Sequence, residues 1–181
     1  AGREQRHRPR GAVFYDGYAG LTLDGIVGTD DTAGSDGGAV GVQPCSEAAA
    51  VAHVSGSLFE GNAAGGAGGA LNANTVSQLQ IADSTIRDNE AAGTGGGISA
   101  GKLVLTNGRV AGNAAGTAGG GLFAIGDTAS GSQITGDAAA LGADRPGEDG
   151  GLALVARIPD QVVTIEDSLI AENAVQGPSC G

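Results

Sequence analysis

Asn or Asp returns at one place in a ten-residue frame six times along this 181-residue chain, and that recurrence restricts the available folds more than any other feature. The frames are 21–30, 53–62, 80–89, 104–113, 128–137 and 164–173, the first fitting after a one-residue slip. They close on Asp30, Asn62, Asn89, Asn113, Asp137 and Asn173. Three residues before each stands an aliphatic or Phe: Val27, Phe59, Ile86, Val110, Ile134 and Ile170. Eight before stand Val54, Ile81, Leu105 and Ile165; ten before stand Leu79, Leu103 and Val163. An Ala/Gly-rich link then leads to a glycine pair and a short aliphatic strand. The pairs are Gly37-Gly38, Gly68-Gly69, Gly95-Gly96, Gly119-Gly120 and Gly150-Gly151.

Successive Asn/Asp positions lie 32, 27, 24, 24 and 36 residues apart. A period near 24 with insertions of varied length is what a solenoid gives when loops grow outward from a constant coil. Each unit holds two or three apolar runs of strand length, too short for helices. Asn tolerates the left-handed backbone of a sharp corner and can hydrogen-bond to the Asn one coil above. The glycine pairs suit a second corner where backbone meets backbone. The expected fold is all-β, a right-handed parallel β-helix (a β-solenoid) of about six coils. A strand spacing of roughly 4.8 Å makes that stack on the order of 25–30 Å long.

The 36 glycines and 32 alanines fit this reading. Leu, Ile, Val and Phe total 37, close to the level of disordered chains, but a thin stacked coil buries only a few large side chains per turn. The glycines show no three-residue period, which excludes collagen. No run approaches the roughly 18 consecutive apolar residues of a membrane span.

Phe59-Glu60-Gly61-Asn62 followed by Gly68-Gly69-Ala70-Leu71 resembles the paired F-x-x-N and G-G-A-I motifs of chlamydial polymorphic outer-membrane proteins. Similar Gly/Asn-rich β-helix repeats occur in large bacterial surface and secreted proteins. The closing Ala171-Glu172-Asn173 and Gly177-Pro178-Ser179-Cys180-Gly181 resemble a coil ending found there. The likeness covers roughly residues 21–181, with Phe in one unit only and no anchoring barrel in the chain. It implies an extracellular or bacterial cell-surface role as a passenger or adhesin-like protein, and no catalytic residues.

The net charge is −11, unevenly spread. Residues 1–10 hold Arg3, Arg6, Arg8 and Arg10 against one Glu; the acidic remainder argues against nucleic acid as a partner. The expected organisation is a basic arm at 1–10, an aromatic cap at 11–20 carrying Phe14, Tyr15 and Tyr18, and a β-helix at 21–181 with a long insertion at 138–149. The arm reads as a solvated tail, or as a grip on an anionic surface or a neighbouring copy. The aromatics read as a cap over the first coil or a docking face.

Cys45 follows the first coil and Cys180 the last, on the order of 24 Å apart along the axis, whereas a disulfide needs Cα atoms within about 7 Å. Two readings stay open: free thiols, or a Cys180–Cys45 bond between copies stacked head to tail. The insertion offers Asp144, Glu148 and Asp149, which would converge on Ca²⁺ if the Pro146-Gly147 turn folds them together; as a solvated loop they hold nothing, and no other cofactor is expected.

Many β-helices act on polysaccharides. Asp24, Asp83 and Asp167 share one register with Asn107, which suits Asx turns at a corner. Gly28-Thr29-Asp30-Asp31 resembles the Asp pairs of pectin hydrolases but lacks their companion Gly-His-Gly. His53 stands alone. The expected function is a non-enzymatic structural, adhesive or self-assembling solenoid, whose partners are copies of itself head to tail or other cell-surface components. A polysaccharide-acting enzyme or carbohydrate-binding module is the alternative.

Overall fold

The computed structural model describes side chains for residues 11–17, 20–43, 51–74, 78–125 and 168–174, and at 151 and 153. It describes backbone alone at 127–130, 133–135, 138–140, 152, 154, 164–166 and 175–176. Short strands run in parallel sheets of six, and each sheet takes every fourth strand of the chain. The molecule is an all-β solenoid with four faces.

Face A consists of Val13–Tyr15, Val40–Val42, Leu71–Ala73, Ile98–Ala100, Leu122–Ala124 and Leu152–Leu154. Face B consists of Leu21–Asp24, Val51–Ser55, Gln78–Ala82, Leu103–Thr106, Asp127–Ser130 and Thr164–Glu166. Face C takes Val27–Thr29, Leu58–Glu60, Thr85–Arg87, Arg109–Ala111, Gln133–Thr135 and Leu169–Ala171. Face D takes Thr32–Ala33, Ala63–Ala64, Glu90–Ala91, Ala114–Ala115, Ala138–Ala140 and Ala174–Gln176.

Alternation along each strand sends every second side chain inward. In Gln78–Ala82, Leu79 and Ile81 are buried while Gln78, Gln80 and Ala82 are half-exposed. Parallel register then piles like on like: Val54, Ile81 and Leu105 form one column, and Val40, Leu71, Ile98 and Leu122 another. All seven are at most 3% exposed. Burying each such aliphatic contributes about 1.5–3 kcal/mol, which is how a chain so poor in large hydrophobes holds a core.

Face D was expected only as an Ala/Gly-rich link. Its strands are two or three residues long, and its inward column is Ala33, Ala64, Ala91 and Ala115. A methyl group gives almost no hydrophobic periodicity, so a strand of this kind leaves little trace in a sequence.

The first frame also differs from expectation. Leu21 pairs with Ala52 and Val27 with Leu58, so no slip is needed. Val27 therefore points outward, 68% exposed, and Gly28 takes the inward place beside Phe59. A Cβ on Gly28 would sit 3.1 Å from Phe59 Cδ1, so the ring fills the space this glycine leaves. Phe59 is fully buried. Phe59→Ala is expected to cost about 3–5 kcal/mol, read as a lower urea midpoint with an unchanged slope.

Phe14 and Tyr15 were expected to cover the first coil. They lie within it instead: Val13, Phe14 and Tyr15 pair with Val40, Gly41 and Val42 as the outermost strand of face A. No repeat unit precedes this strand in the described residues, so the frame that reveals the others is missing here.

Candidate functional site

The carboxamides at the C-to-D corner form a continuous buried ladder. Asn62, Asn89 and Asn113 are each 1% exposed. Asn89 Oδ1 accepts the Asn62 N–H and Nδ2–H, both at 2.9 Å. Asn89 in turn donates its N–H and Nδ2–H to Asn113 Oδ1, at 3.0 and 2.9 Å. The second Nδ2 hydrogens go down to carbonyls: Asn62 to Gly28 and Asn89 to Phe59 at 3.1 Å, Asn113 to Ile86 at 3.2 Å. The donors and the acceptor of the Asn89 carboxamide are all used, which sets its orientation and the coil spacing together.

Asp30 was expected as the first rung. Asp31 stands there: its N–H donates to Asn62 Oδ1 at 3.0 Å. Asp30 precedes it with φ +57°, matched along the stack by Gly61, Asp88, Gly112 and Glu172, all at positive φ. The left-handed turn thus belongs to the residue before the ladder, and the Asn residues are spared it. Two adjacent aspartates made the frames indistinguishable by residue type.

Sequence reasoning missed a second ladder at the B-to-C corner. Ile26 N–H donates to Ser57 Oγ at 3.0 Å, and Ser57 N–H to Ser84 Oγ at 3.1 Å. Each hydroxyl donates to a carbonyl two residues back, Ser55 O and Ala82 O, at 2.7 Å. The signal was a Ser five residues before the Asn or Asp, at 57, 84, 132 and 168. The expected grouping of Asp24 with Asp83 and Asn107 fails by the same one-residue shift. Asp24 pairs with Ser55, and the left-handed corner column is Gly25, Gly56, Asp83 and Asn107.

These ladders bracket connections of constant length. The B-to-C corners are residues 25–26, 56–57, 83–84, 107–108, 131–132 and 167–168, always two. The C-to-D corners are 30–31, 61–62, 88–89, 112–113, 136–137 and 172–173, again two. The D-to-A turns 34–39, 65–70, 92–97 and 116–121 have six, and 141–151 has eleven. By contrast the A-to-B connections are 16–20, 43–50, 74–77, 101–102, 125–126 and 155–163, running from two residues to nine. Strands of A and B keep their stacking throughout, so apart from the eleven residues at 141–151 every variable connection falls between faces A and B. Loops of varied length on an invariant frame are where binding surfaces are usually placed.

Face A flanks that edge. Ser99, fully buried, accepts Asn74 Nδ2–H at 3.0 Å, donates toward Asn74 Oδ1 at 3.2 Å, and meets Thr94 Oγ1 at 3.4 Å. Asn74 begins an A-to-B connection and Thr94 lies in a D-to-A turn, so these polar contacts tie the two sides of face A together across its outer surface. Among the described residues a cavity of about 10 Å³ lies inside, lined by Leu21, Leu23, Val40 and Val54.

On the outer side of face C, Arg87 joins Glu60 at 2.7 Å and Asp88 at 3.6 Å, all three partly exposed. His53 lies within its strand, paired with Thr22 and Gln80, and exposed. Asn173 follows the last described strand of face C, its carboxamide against Gly151. Asp137, Asp144, Glu148, Asp149, Asp167, Cys45, Cys180, Tyr18, Arg3, Arg6, Arg8 and Arg10 lie outside the described residues. Among the described residues no group of three or more His, Cys, Asp or Glu gathers as a metal site, and no helix is long and apolar enough to cross a membrane.

The fold and its ladders define the class of the protein, a β-solenoid repeat protein. No family model, curated protein or solved structure matches the chain.

Proposed function

We propose that this chain is a right-handed β-helix of six coils that works outside the cell, at a bacterial surface, as a non-enzymatic structural and adhesive element. The observation that carries the reading is the contrast between two-residue corners that never vary and A-to-B connections that range from two residues to nine. A frame held in register by two side-chain ladders presents one edge of loops to whatever it contacts. The likeness of its repeats to those of chlamydial surface proteins supports the same assignment.

The test replaces connections 43–50 and 155–163 by the two-residue Gly101-Lys102 connection. The variant should keep the β-sheet spectrum and thermal midpoint of the parent and lose retention on bacterial or host-cell surfaces. Equal retention by parent and variant would sink the adhesive reading. In its most specific form, copies stack head to tail with Cys180 of one beside Cys45 of the next. Filaments on imaging, and a ladder of disulfide-linked multimers on non-reducing gels, are the expected results.

The alternative, a polysaccharide-acting module, would draw on Glu60 and Asp88, the carboxylates that share the Arg87 guanidinium on the outer side of face C. Cleavage of an acidic or neutral glycan that Glu60→Gln abolishes would establish it over the adhesive reading.

A further inference from the structure

The outer side of face A carries a polar set that the frame does not use. Its outward column runs Phe14, Gly41, Asn72, Ser99 and Phe123 in parallel register. Asn72 is 8% exposed, yet its carboxamide makes one long hydrogen bond, from Nδ2–H to the Ala67 carbonyl at 3.5 Å. That carbonyl already accepts the Gly37 N–H at 3.0 Å. Asn72 Oδ1 accepts nothing among the described residues. The oxygens of Asn62, Asn89 and Asn113 are all taken up in the corner ladder. A carboxamide oxygen buried without a donor gives up its hydration for nothing, so it marks a place where a donor comes from outside.

The neighbours of Asn72 say what that donor belongs to. Asn74 lies two residues on, exposed, its carboxamide fixed by both hydrogen bonds to Ser99 Oγ. Thr94 Oγ1 stands 3.4 Å from the same hydroxyl. Phe123, one coil beyond Ser99, is partly exposed. On the other side Gly41 has no side chain, and the Phe14 ring takes that room, 3.2 Å from where a Cβ would be. At about 4.8 Å per coil, Asn72 and Phe123 stand roughly 10 Å apart, the reach of two linked sugars rather than of one ring. None of Asn72, Asn74, Thr94, Ser99 and Phe123 is charged, and the chain carries a net −11, which disfavours an anionic ligand.

We propose that this column is a binding site for an uncharged disaccharide; the inference rests on the adhesive reading above and names its ligand. One sugar lays its apolar face on the Phe123 ring, and the other donates a hydroxyl to Asn72 Oδ1. Asn74 and Thr94 meet the hydroxyls between them. An aromatic face beside a few fixed amide and hydroxyl groups suits a ligand that is apolar on its ring faces and polar at its rim. The strands that carry these groups are locked in parallel register, so little ordering is needed on binding.

Carboxamide NMR signals of the full chain, titrated with cellobiose, lactose and maltose, test the proposal, with digalacturonate as the anionic control. At least one neutral disaccharide should move the Asn72 and Asn74 signals saturably, and digalacturonate should move neither. Asn72→Ala and Phe123→Leu should each weaken that binding about tenfold while the β-sheet spectrum stays that of the parent. No saturable shift with any neutral disaccharide would overturn the site and leave an ordered water as the partner of Asn72. Equal affinity in parent and variants, or tighter binding of digalacturonate, would overturn it too. The variant with connections 43–50 and 155–163 shortened keeps every residue of this site, so it should bind the disaccharide as the parent does. Disaccharide binding by a parent that cells do not retain would count against adhesion alone; retention by cells without disaccharide binding would count against this site alone.

Discussion

Asn89→Ala is expected to lose about 3–5 kcal/mol of stability, among the largest single losses this fold can show, because one side chain serves three coils. Its removal strips the acceptor from the Asn62 N–H and Nδ2–H and the side-chain donor from the Phe59 carbonyl, in a region 1% exposed. Urea denaturation should show the drop. An alanine variant within about 1 kcal/mol of the parent would mean the ladder is decorative.

Asn89→Asp separates hydrogen bonding from shape. It keeps an acceptor facing Asn62 but, when ionised, has no proton for Phe59 O and buries a charge. Burial raises the folded carboxyl above its unfolded value of about 3.9. The penalty is then absent below that value and grows as pH rises from it toward the raised folded pKa. The aspartate variant should therefore be closest to the parent in acid and furthest from it at neutral pH, and alanine should show no such dependence.

Gly96→Ala is the second large effect, with an expected loss of at least about 3 kcal/mol. An added Cβ would run into the Gly120 carbonyl and the Ala114 backbone, and backbone in a stacked coil cannot step aside without opening the strand spacing. Gly25 is the control. It has φ +62° but open space around its missing Cβ, so Gly25→Ala should cost only the left-handed strain, about 1–2 kcal/mol. If the two variants melt together, the coil gives way around the added Cβ and the close approach at Gly96 is not what requires glycine there.

Much of the solenoid is legible in the sequence. Asn62, Asn89 and Asn113 recur with Phe59, Ile86 and Val110 at a constant offset, and a coil closed on itself is the simplest way to satisfy both. What escaped had a weak or ambiguous signal. Alanine pairs such as Ala63–Ala64 form strands because neighbours on either side hold them, not because their own propensity asks for it. Ser57 and Ser84 look like ordinary turn residues until their register shows each hydroxyl accepting from the preceding coil's amide. The Asp30-Asp31 step was undecidable by residue type, and the outcome moved Val27 from the core to the surface. Of the candidate binding edge, only the unequal spacing of the repeats was visible; that all the inequality but one insertion falls between faces A and B needs the strand pairing itself.

That distribution gives the chain something like a reading frame. A residue gained or lost between faces A and B is absorbed where it occurs, and the next coil resumes in phase. The same change inside a two-residue corner is a frameshift: the following strand turns its core side chains to solvent and pulls a serine or an asparagine out of line with the coils on either side. Length variation can therefore accumulate along one edge of the molecule almost without cost, while two of the other corners are held to the single residue.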